Sequence, residues 1–315
     1  MNKLATSMLA ATALFAGGTA TANEMYIDLG SNAYEVSPPN PVDADGTTGV
    51  FTEFSFNQIL ATSIYNVGEA GETGGTVITD VFGSFYDTNV ASLLTANTIP
   101  TSGTAMDGVT TVTLVNPIAA VGSATSAQTD LDALSPLVPP FGSDSEGFAL
   151  SWDLRAEYTF NGILTLAGPV YTGGTLNIYF NDFGVAGDVL AISANLTGSD
   201  ISLANLFLDF DITFALEDWL YVKAGGAFVD ANDVLDAGGT PTLRLNTNVN
   251  PPIPVPSQLL VVNGVLADGV TPATNAIRQA LLNGGITAVV PAPATIAILG
   301  LGLLGLGASA RRRKS

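Results

Sequence analysis

The chain contains no cysteine and no histidine. Without cysteine there is no disulfide, no thiol nucleophile, no thiolate zinc site and no iron–sulfur ligation. Without histidine, Ser-His-Asp and Cys-His catalysis fall away, together with imidazole-bound metals and His-ligated haem. Positive charge is scarce too. Lysine and arginine number 9 against 28 aspartates and glutamates, a formal net charge of −19. Between the chain's two ends the only basic side chains are Arg155, Lys223, Arg244 and Arg278, whereas every acidic residue lies there. Such a body has no means of holding nucleic acid, whose phosphates require cations, and is repelled by anionic membrane surfaces. Charged residues are nonetheless only 12% of the chain and 47% is hydrophobic. That balance excludes a disordered acidic tail, and a chain of this length buries a core without disulfides.

What is present is clearest at the two ends. Residues 1–22 (MNKLATSMLAATALFAGGTATA) place Lys3 before an apolar stretch from Leu4 to Ala16 and small residues at Ala20 and Ala22. This is the layout of a secretory signal peptide cut after Ala22, its core too short and alanine-rich to span a bilayer. Residues 290–315 (VPAPATIAILGLGLLGLGASARRRKS) join a Pro-x-Pro step to an uncharged run and a basic end. The step is Pro291, Ala292 and Pro293, directly after Val290, and the basic end is Arg311, Arg312, Arg313 and Lys314. Ala294 to Ala310 reaches about 25 Å as a helix, slightly less than a hydrocarbon core of ~30 Å. The basic end stays cytoplasmic. The expectation is one short transmembrane helix over 294–310.

That order of parts resembles the PEP-CTERM sorting signal of Gram-negative bacteria. The resemblance covers about the last 26 residues, and Ala292 stands where the family usually has Glu. It implies recognition by an exosortase, a membrane-embedded cysteine peptidase or transpeptidase, with cutting near Pro291–Pro293. It also implies transient membrane attachment and delivery to the cell surface or extracellular matrix of an organism that makes exopolysaccharide. Some members act in biofilm or floc formation, and the flocculation-associated ones also carry an acidic β-rich body.

The exported body, 23–289, reads as strands separated by turns. Phe148, Leu150, Trp152, Leu154, Ala156, Tyr158 and Phe160 alternate with polar neighbours, the pattern of a half-buried antiparallel strand. Asn161-Gly162 then signals a hairpin. Leu206, Leu208, Phe210, Ile212 and Phe214 repeat the alternation, and Glu217-Asp218 makes a corner before Trp219. Further turns are expected at Asp45-Gly46, Gly74-Gly75, Gly173-Gly174, Gly187-Asp188 and Gly238-Gly239. Helix is expected only over Ala273 to Leu282 and briefly over Ser126 to Leu134, with a linker at Pro136 to Ser145. The fold expected is all-β, a β-sandwich with Greek-key or jelly-roll connections.

Chemistry has few places to hide. No catalytic and no cofactor-binding residue is expected. Asp43-Ala44-Asp45-Gly46 fails as an EF-hand, because Pro41 and Thr52 fall on ligand positions. Asp230, Asn232, Asp233 and Asp236 form a denser oxygen cluster, where calcium is the one cofactor the residues offer. A solvated turn with side-chain-to-backbone hydrogen bonds is the alternative. Asp153 and Glu157 lie roughly 13 Å apart along a strand, too far for a glycosidase pair, and Asp209 with Asp211 is the closer couple. Trp219 and Tyr221 are candidates for stacking on sugar. The expectation is a non-enzymatic surface or matrix protein that supports biofilm or floc structure and contacts extracellular polysaccharide. A carbohydrate-binding module or polysaccharide hydrolase is the alternative.

Overall fold

Alternation of side chains across long strands decides the architecture. The computed structural model describes residues 23–30, 46–67, 84–116, 129–131, 133–136, 146–165, 168–185, 187–202, 205–248 and 254–290. The first strands are β1 (Met25–Ile27), β2 (Phe51–Asn66) and β3 (Ser84–Thr88). Helix α1 (Ala91–Ala96) and short strands β4 (Ser102–Thr104), β5 (Thr111–Thr113), β6 (Thr129–Leu131) and β7 (Ala133–Pro136) follow. Then come β8 (Trp152–Thr165), β9 (Gly168–Asp182), β10 (Val189–Ser202) and β11 (Asn205–Ala215). After them lie β12 (Leu220–Ala224), β13 (Ala227–Asp230) and helix α2 (Ala231–Asp236). The last strands are β14 (Thr242–Asn248), β15 (Leu260–Val265) and β16 (Pro272–Val289).

Strands β2, β3, β8, β9, β10, β11, β14 and β16 pair in that order, each antiparallel to the next. β16 then pairs with β2 from Asn275↔Asn66 to Ile286↔Phe54, which closes the sheet on itself. The body is therefore a barrel. The sandwich expected from the sequence is corrected on this point: alternation gives a strand one dry face in either architecture, and only the β2–β16 pairing distinguishes them. Closure also removes the open edges that a sandwich of long strands would have to protect.

Inside face and outside face are chemically distinct. Trp152, Leu154, Ala156 and Phe160 from β8 meet Leu176 and Ile178 from β9 and Leu206, Leu208, Phe210 and Ile212 from β11, all buried. Burial of each leucine, isoleucine or phenylalanine among them contributes about 1.5–3 kcal/mol. The outward positions of the same strands carry Asp153, Arg155, Glu157, Asp209 and Asp211. A transmembrane barrel turns apolar residues outward and polar ones inward; this one is the reverse, a water-facing barrel. Outside the wall, a second small core of Ile64, Tyr86, Leu114, Leu260 and Ile277 packs where β15, α1 and the β4–β5 hairpin cover β2, β3 and β16. A flap of β1, β12 and β13 joins β2 through Met25↔Phe51.

Several local expectations are corrected, each for a physical reason. Residues 273–282 are strand, not helix: Asn275, Ala276, Ile277 and Arg278 are all buried because β16 is covered on both faces. A strand dry on both sides loses its period of two, and its sequence then mimics a helix. The short helix expected near Ser126 to Leu134 is instead β6 and β7, and Pro136 ends β7. Asn161-Gly162 is not a hairpin but a register shift within β8. A Cβ on Gly162 would lie 2.5 Å from the Val170 carbonyl and 2.7 Å from the Phe85 ring. Gly173-Gly174 likewise lies mid-strand in β9, where Gly174 has φ +145° and a Cβ would meet the Thr159 carbonyl at 2.3 Å. Both pairs mark close approach within the wall, not turns. Glu217-Asp218 does make its corner, with Asp218 at φ +56°. The expected turn at Gly74-Gly75 and the linker beyond Pro136 lie outside the described residues, and so does the expected membrane helix over 294–310. Among the described residues no helix is long and apolar enough to cross a membrane.

Candidate functional site

Cross-strand partners in a sheet point to the same side, and this rule assembles a polar cluster inside the barrel. Ser63 on β2 pairs with Asp87 on β3 and with Arg278 on β16. Tyr65 pairs with Phe85 and Ala276, while Tyr171 on β9 pairs with Gly162 on β8. Phe85 packs edge-on against Tyr171 at 5.1 Å, so these positions share the interior. Asp87 is thus an inward-facing carboxylate, 7% exposed, among apolar walls.

Its environment is polarised but incomplete. The Tyr171 hydroxyl donates to Asp87 Oδ2. Asp87 Oδ1 receives no hydrogen bond. Burial raises the Asp87 pKa to about 6, against the pull of Ser63, Tyr171 and the Arg278 charge. Burial foremost, then the Asp87 charge, pushes Tyr65 up to about 12, with Arg278, Ser63 and their hydrogen bonds opposing. Tyr158 and Tyr171 rise for the same leading reasons. All three phenols therefore stay protonated donors at neutral pH.

Beside this cluster the barrel encloses a cavity of about 60 Å³, with Asp87 in its lining. Phe160, Leu176, Leu208, Leu245 and Ile286 make much of the rest, drawn from β8, β9, β11, β14 and β16. Chemically the arrangement is an apolar chamber with a buried carboxylate in its wall. It has neither a second carboxylate nor an activated nucleophile. Sequence reasoning passed over Asp87. The one available signal was its parity with Phe85, two residues earlier in Ser84–Thr88, which places a carboxylate on a dry face.

The residues singled out from sequence lie elsewhere. Asp230 ends β13 and caps α2: its Oδ1 accepts from the Asn232 amide and its Oδ2 from the Asp218 amide. Burial raises its pKa. Asn232, Asp233 and Asp236 belong to α2 itself, and among the described residues no three carboxylates gather closely enough to hold a metal ion. The arrangement is that of a helix cap. Asp153 and Glu157 face outward; Asp153 contacts Arg155 at 3.4 Å and accepts from Asn181. Asp209 is gripped by Arg244 through two hydrogen bonds of 2.7 and 3.0 Å. Trp219 is only 4% exposed, which corrects its candidacy for sugar stacking. Tyr221 stacks at 4.8 Å on Tyr26, which in turn meets Phe228 edge-on, on the flap.

The first described residue and the end of β16 come together. The Asn23 amide donates to the Ala288 carbonyl across 3.4 Å, so the residue after the expected signal cleavage sits beside the end of β16. Val290, 5% exposed, still packs with the core. Ala20 and Ala22, like Pro291, Ala292, Pro293 and Arg311 to Arg313, lie outside the described residues. A model of the PEP-CTERM protein-sorting motif matches residues 289–314. The chain carries a PEP-CTERM sorting motif. Its sorting motif begins on the last residue of β16, with no spacer between barrel and signal. The motif implies export across the inner membrane and processing by an exosortase towards the cell surface or beyond. No curated protein and no solved structure matches the chain.

Proposed function

We propose that this PEP-CTERM protein is a non-enzymatic component of the cell surface or extracellular matrix that supports biofilm or floc structure. The observation that carries the reading is the outer wall of the barrel. Its carboxylates are spread over a wetted surface, outnumber the few arginines that pair with some of them, as Arg244 does with Asp209, and among the described residues do not converge on a reacting centre. A surface of that kind, joined to a sorting signal, suits contact with hydrated polysaccharide through bridging divalent cations. The test is retention of the protein in the matrix. Chelation is expected to release it and to disperse cell aggregates; retention and aggregation unchanged by chelator would overturn the cation-bridging mechanism. Terminal peptides of the released protein are expected to end between Val290 and Ala294, and recovery of Arg311 in the released form would refute processing.

One observation favours carbohydrate binding as a second reading. Tyr26, Tyr221 and Phe228 form a contiguous, half-buried aromatic patch on the flap, with Lys223 5.8 Å over the Phe228 ring. Such rings offer faces for sugars. Binding to a glycan array that is lost in Tyr221→Ala supports this reading, and an array without signal removes it.

A further inference from the structure

Antiparallel alternation sorts the strand termini of the barrel into two ends. At one of them β2, β8, β10 and β14 begin while β9, β11 and β16 finish. That end carries an apolar surface. Leu150, Phe183, Val185, Val189 and Phe214 are between 41% and 72% exposed, and they include both exposed phenylalanines among the described residues. Register brings them together. Trp152 pairs with Asp182, so Leu150 and Phe183 lie just beyond that pair. The Phe183 amide donates to the Ser151 carbonyl at 3.0 Å, and the Val185 amide to the Asp182 carbonyl at 3.1 Å. This turn is fixed by its own backbone while its large side chains stand in water. Val189 opens the next strand, and Phe214 leaves the core beyond the register shift at Ser193/Ala194. Single exposed aliphatic residues are ordinary. A group on adjoining strands that includes two phenylalanines marks a contact surface.

The chain that leaves the same end decides what covers it. β16 finishes at Val289, and Val290 is still packed in the core. The uncharged run of the sorting motif starts at Ala294, four residues on. Fully extended, those residues reach at most about 14 Å. A headgroup layer takes up roughly 5–7 Å of that length. With the run in a bilayer, this end of the barrel therefore cannot lift clear of the membrane surface. Charge selects the kind of lipid. Asp182 and Asp188 flank the patch, the first accepting from the Gly184 amide and the second 3.9 Å from Arg155. Carboxylates so placed oppose an anionic surface and leave a zwitterionic one favoured.

We propose that, until the sorting signal is cut, the barrel stands on the bilayer through this end, with Leu150, Phe183, Val185, Val189 and Phe214 set among zwitterionic headgroups. The contact orients the chain. β16 runs towards the membrane, and the Pro291–Pro293 step stays close to the headgroups, within reach of a membrane-embedded peptidase. The inference rests on the sorting motif and is independent of the matrix reading, which concerns the chain after release.

The chain has no cysteine, so a single label can be placed at will. Full-length protein carrying bimane at Val185→Cys, or at Val270→Cys as reference, is reconstituted in phosphatidylcholine vesicles with brominated or ordinary acyl chains. Val270 is also exposed but precedes β16, the length of an 18-residue strand from the membrane end. Bromine quenches at short range, whichever way the chain has inserted. Bimane at 185 is expected to lose at least about half of its emission in brominated vesicles, as at the ~5–10 Å depth of interfacial attachment, and bimane at 270 none. Leu150→Ser with Phe183→Ser changes only exposed side chains, to which folding is nearly indifferent. The pair is expected to remove most of the quenching at 185; quenching that persists unchanged would mean that the tail alone sets the distance, and overturns the proposal. Replacing part of the phosphatidylcholine by phosphatidylglycerol is expected to weaken the quenching at low salt and to leave it intact at high salt. Equal quenching at 185 and 270 overturns the proposal. So does absence of quenching at 185, and disulfide pairing of unlabelled Val185→Cys chains in that case would assign this end to a second copy.

Discussion

Tyr86 and Asp87 are neighbours on β3 and point to opposite sides of the barrel wall, into two buried polar clusters of different character. Outside, the Tyr86 hydroxyl donates to the Val265 carbonyl at 3.0 Å and accepts from Asn97 Nδ2 at 2.7 Å. Asn97 Nδ2 also donates to Leu93, while its Oδ1 accepts from Asn275 Nδ2 at 2.6 Å and from the Val265 amide at 3.3 Å. Only Asn275 Oδ1 is left over. Inside, Asp87 Oδ2 accepts from the Tyr171 hydroxyl, while its Oδ1 is buried without a hydrogen bond. The outer cluster ties α1 and β15 to the wall, and its groups are neutral and nearly all matched. The inner one keeps an ionisable group under-matched among apolar walls. A fold that solves the first problem this thoroughly, one residue away, is not short of means to solve the second. The difference separates a neutral, matched cluster that fastens elements together from an ionisable, under-matched one whose burial makes stability depend on pH.

The largest expected effect breaks the outer cluster. Gly264 faces it, and a Cβ there would lie 2.2 Å from Asn97 Oδ1 and 3.0 Å from Asn275 Nδ2. Asn97 can yield only by giving up bonds to three strands and a helix. Gly264→Ala is expected to lower stability by about 4 kcal/mol, the combined effect of several buried hydrogen bonds lost with their groups still buried. Urea unfolding measures it, and a loss under about 1 kcal/mol would show that the outer cluster is not the fastening described.

Next comes the pH response of the inner cluster. The folded pKa of Asp87 is raised to about 6 from an ordinary 3.8. The folded state therefore holds a proton that the unfolded chain has released, and stability falls as pH rises through that window. The contribution is complete below the unfolded value and gone above the folded one, a change of about 3 kcal/mol. Ser63, Tyr65, Tyr158, Tyr171 and Arg278 face the carboxylate, and the tyrosines titrate well above this range. Glu157 and Asp230 are also raised, Asp107 and Asp268 lowered. The measurement is accordingly a difference: unfolding free energy of the protein minus that of Asp87→Asn, from pH 4 to 7. A flat difference would mean that Asp87 is solvated or fully matched.

The wall of this barrel was legible in its sequence wherever a strand had one wet face. Phe148 to Phe160 and Leu206 to Phe214 announced themselves by period two, and strands lie there, though β8 begins only at Trp152, with Leu150 exposed in the turn before it, and Phe214 is exposed near the end of β11. Legibility failed where both faces were dry. β16 hides its strand character because Ala276 and Arg278 look into the barrel while Asn275 and Ile277 look into the outer core. Ring closure was not legible at all, since β2 and β16 lie more than 200 residues apart and nothing local records their pairing. The sorting motif was the reverse case, a linear signal read by an enzyme as sequence and hence visible as sequence. The inner site stayed hidden because its members, Ser63, Asp87, Tyr171 and Arg278, come from four separate strands. Each taken alone is unremarkable, and Asp87 becomes informative only when the burial of its neighbours is known.

The smallest expected effect calibrates both clusters against a polar contact that water reaches. Asp209 and Arg244 form the best-shaped ion pair on the outer wall, with two hydrogen bonds and Arg244 also lying 5.6 Å over the Phe207 ring. Both side chains are nearly half exposed. Water competes for each partner and salt screens their attraction, so good geometry alone yields little. Asp209→Asn keeps the shape of the side chain and removes its charge. It is expected to reduce stability by about 0.5 kcal/mol at low ionic strength and by nothing measurable near 1 M salt. A loss of about 2 kcal/mol that persists in salt would mean that this face is desolvated, as it would be beneath a partner. In that case the contrast between inside and outside would have to be redrawn, with the outer wall as a second site of burial.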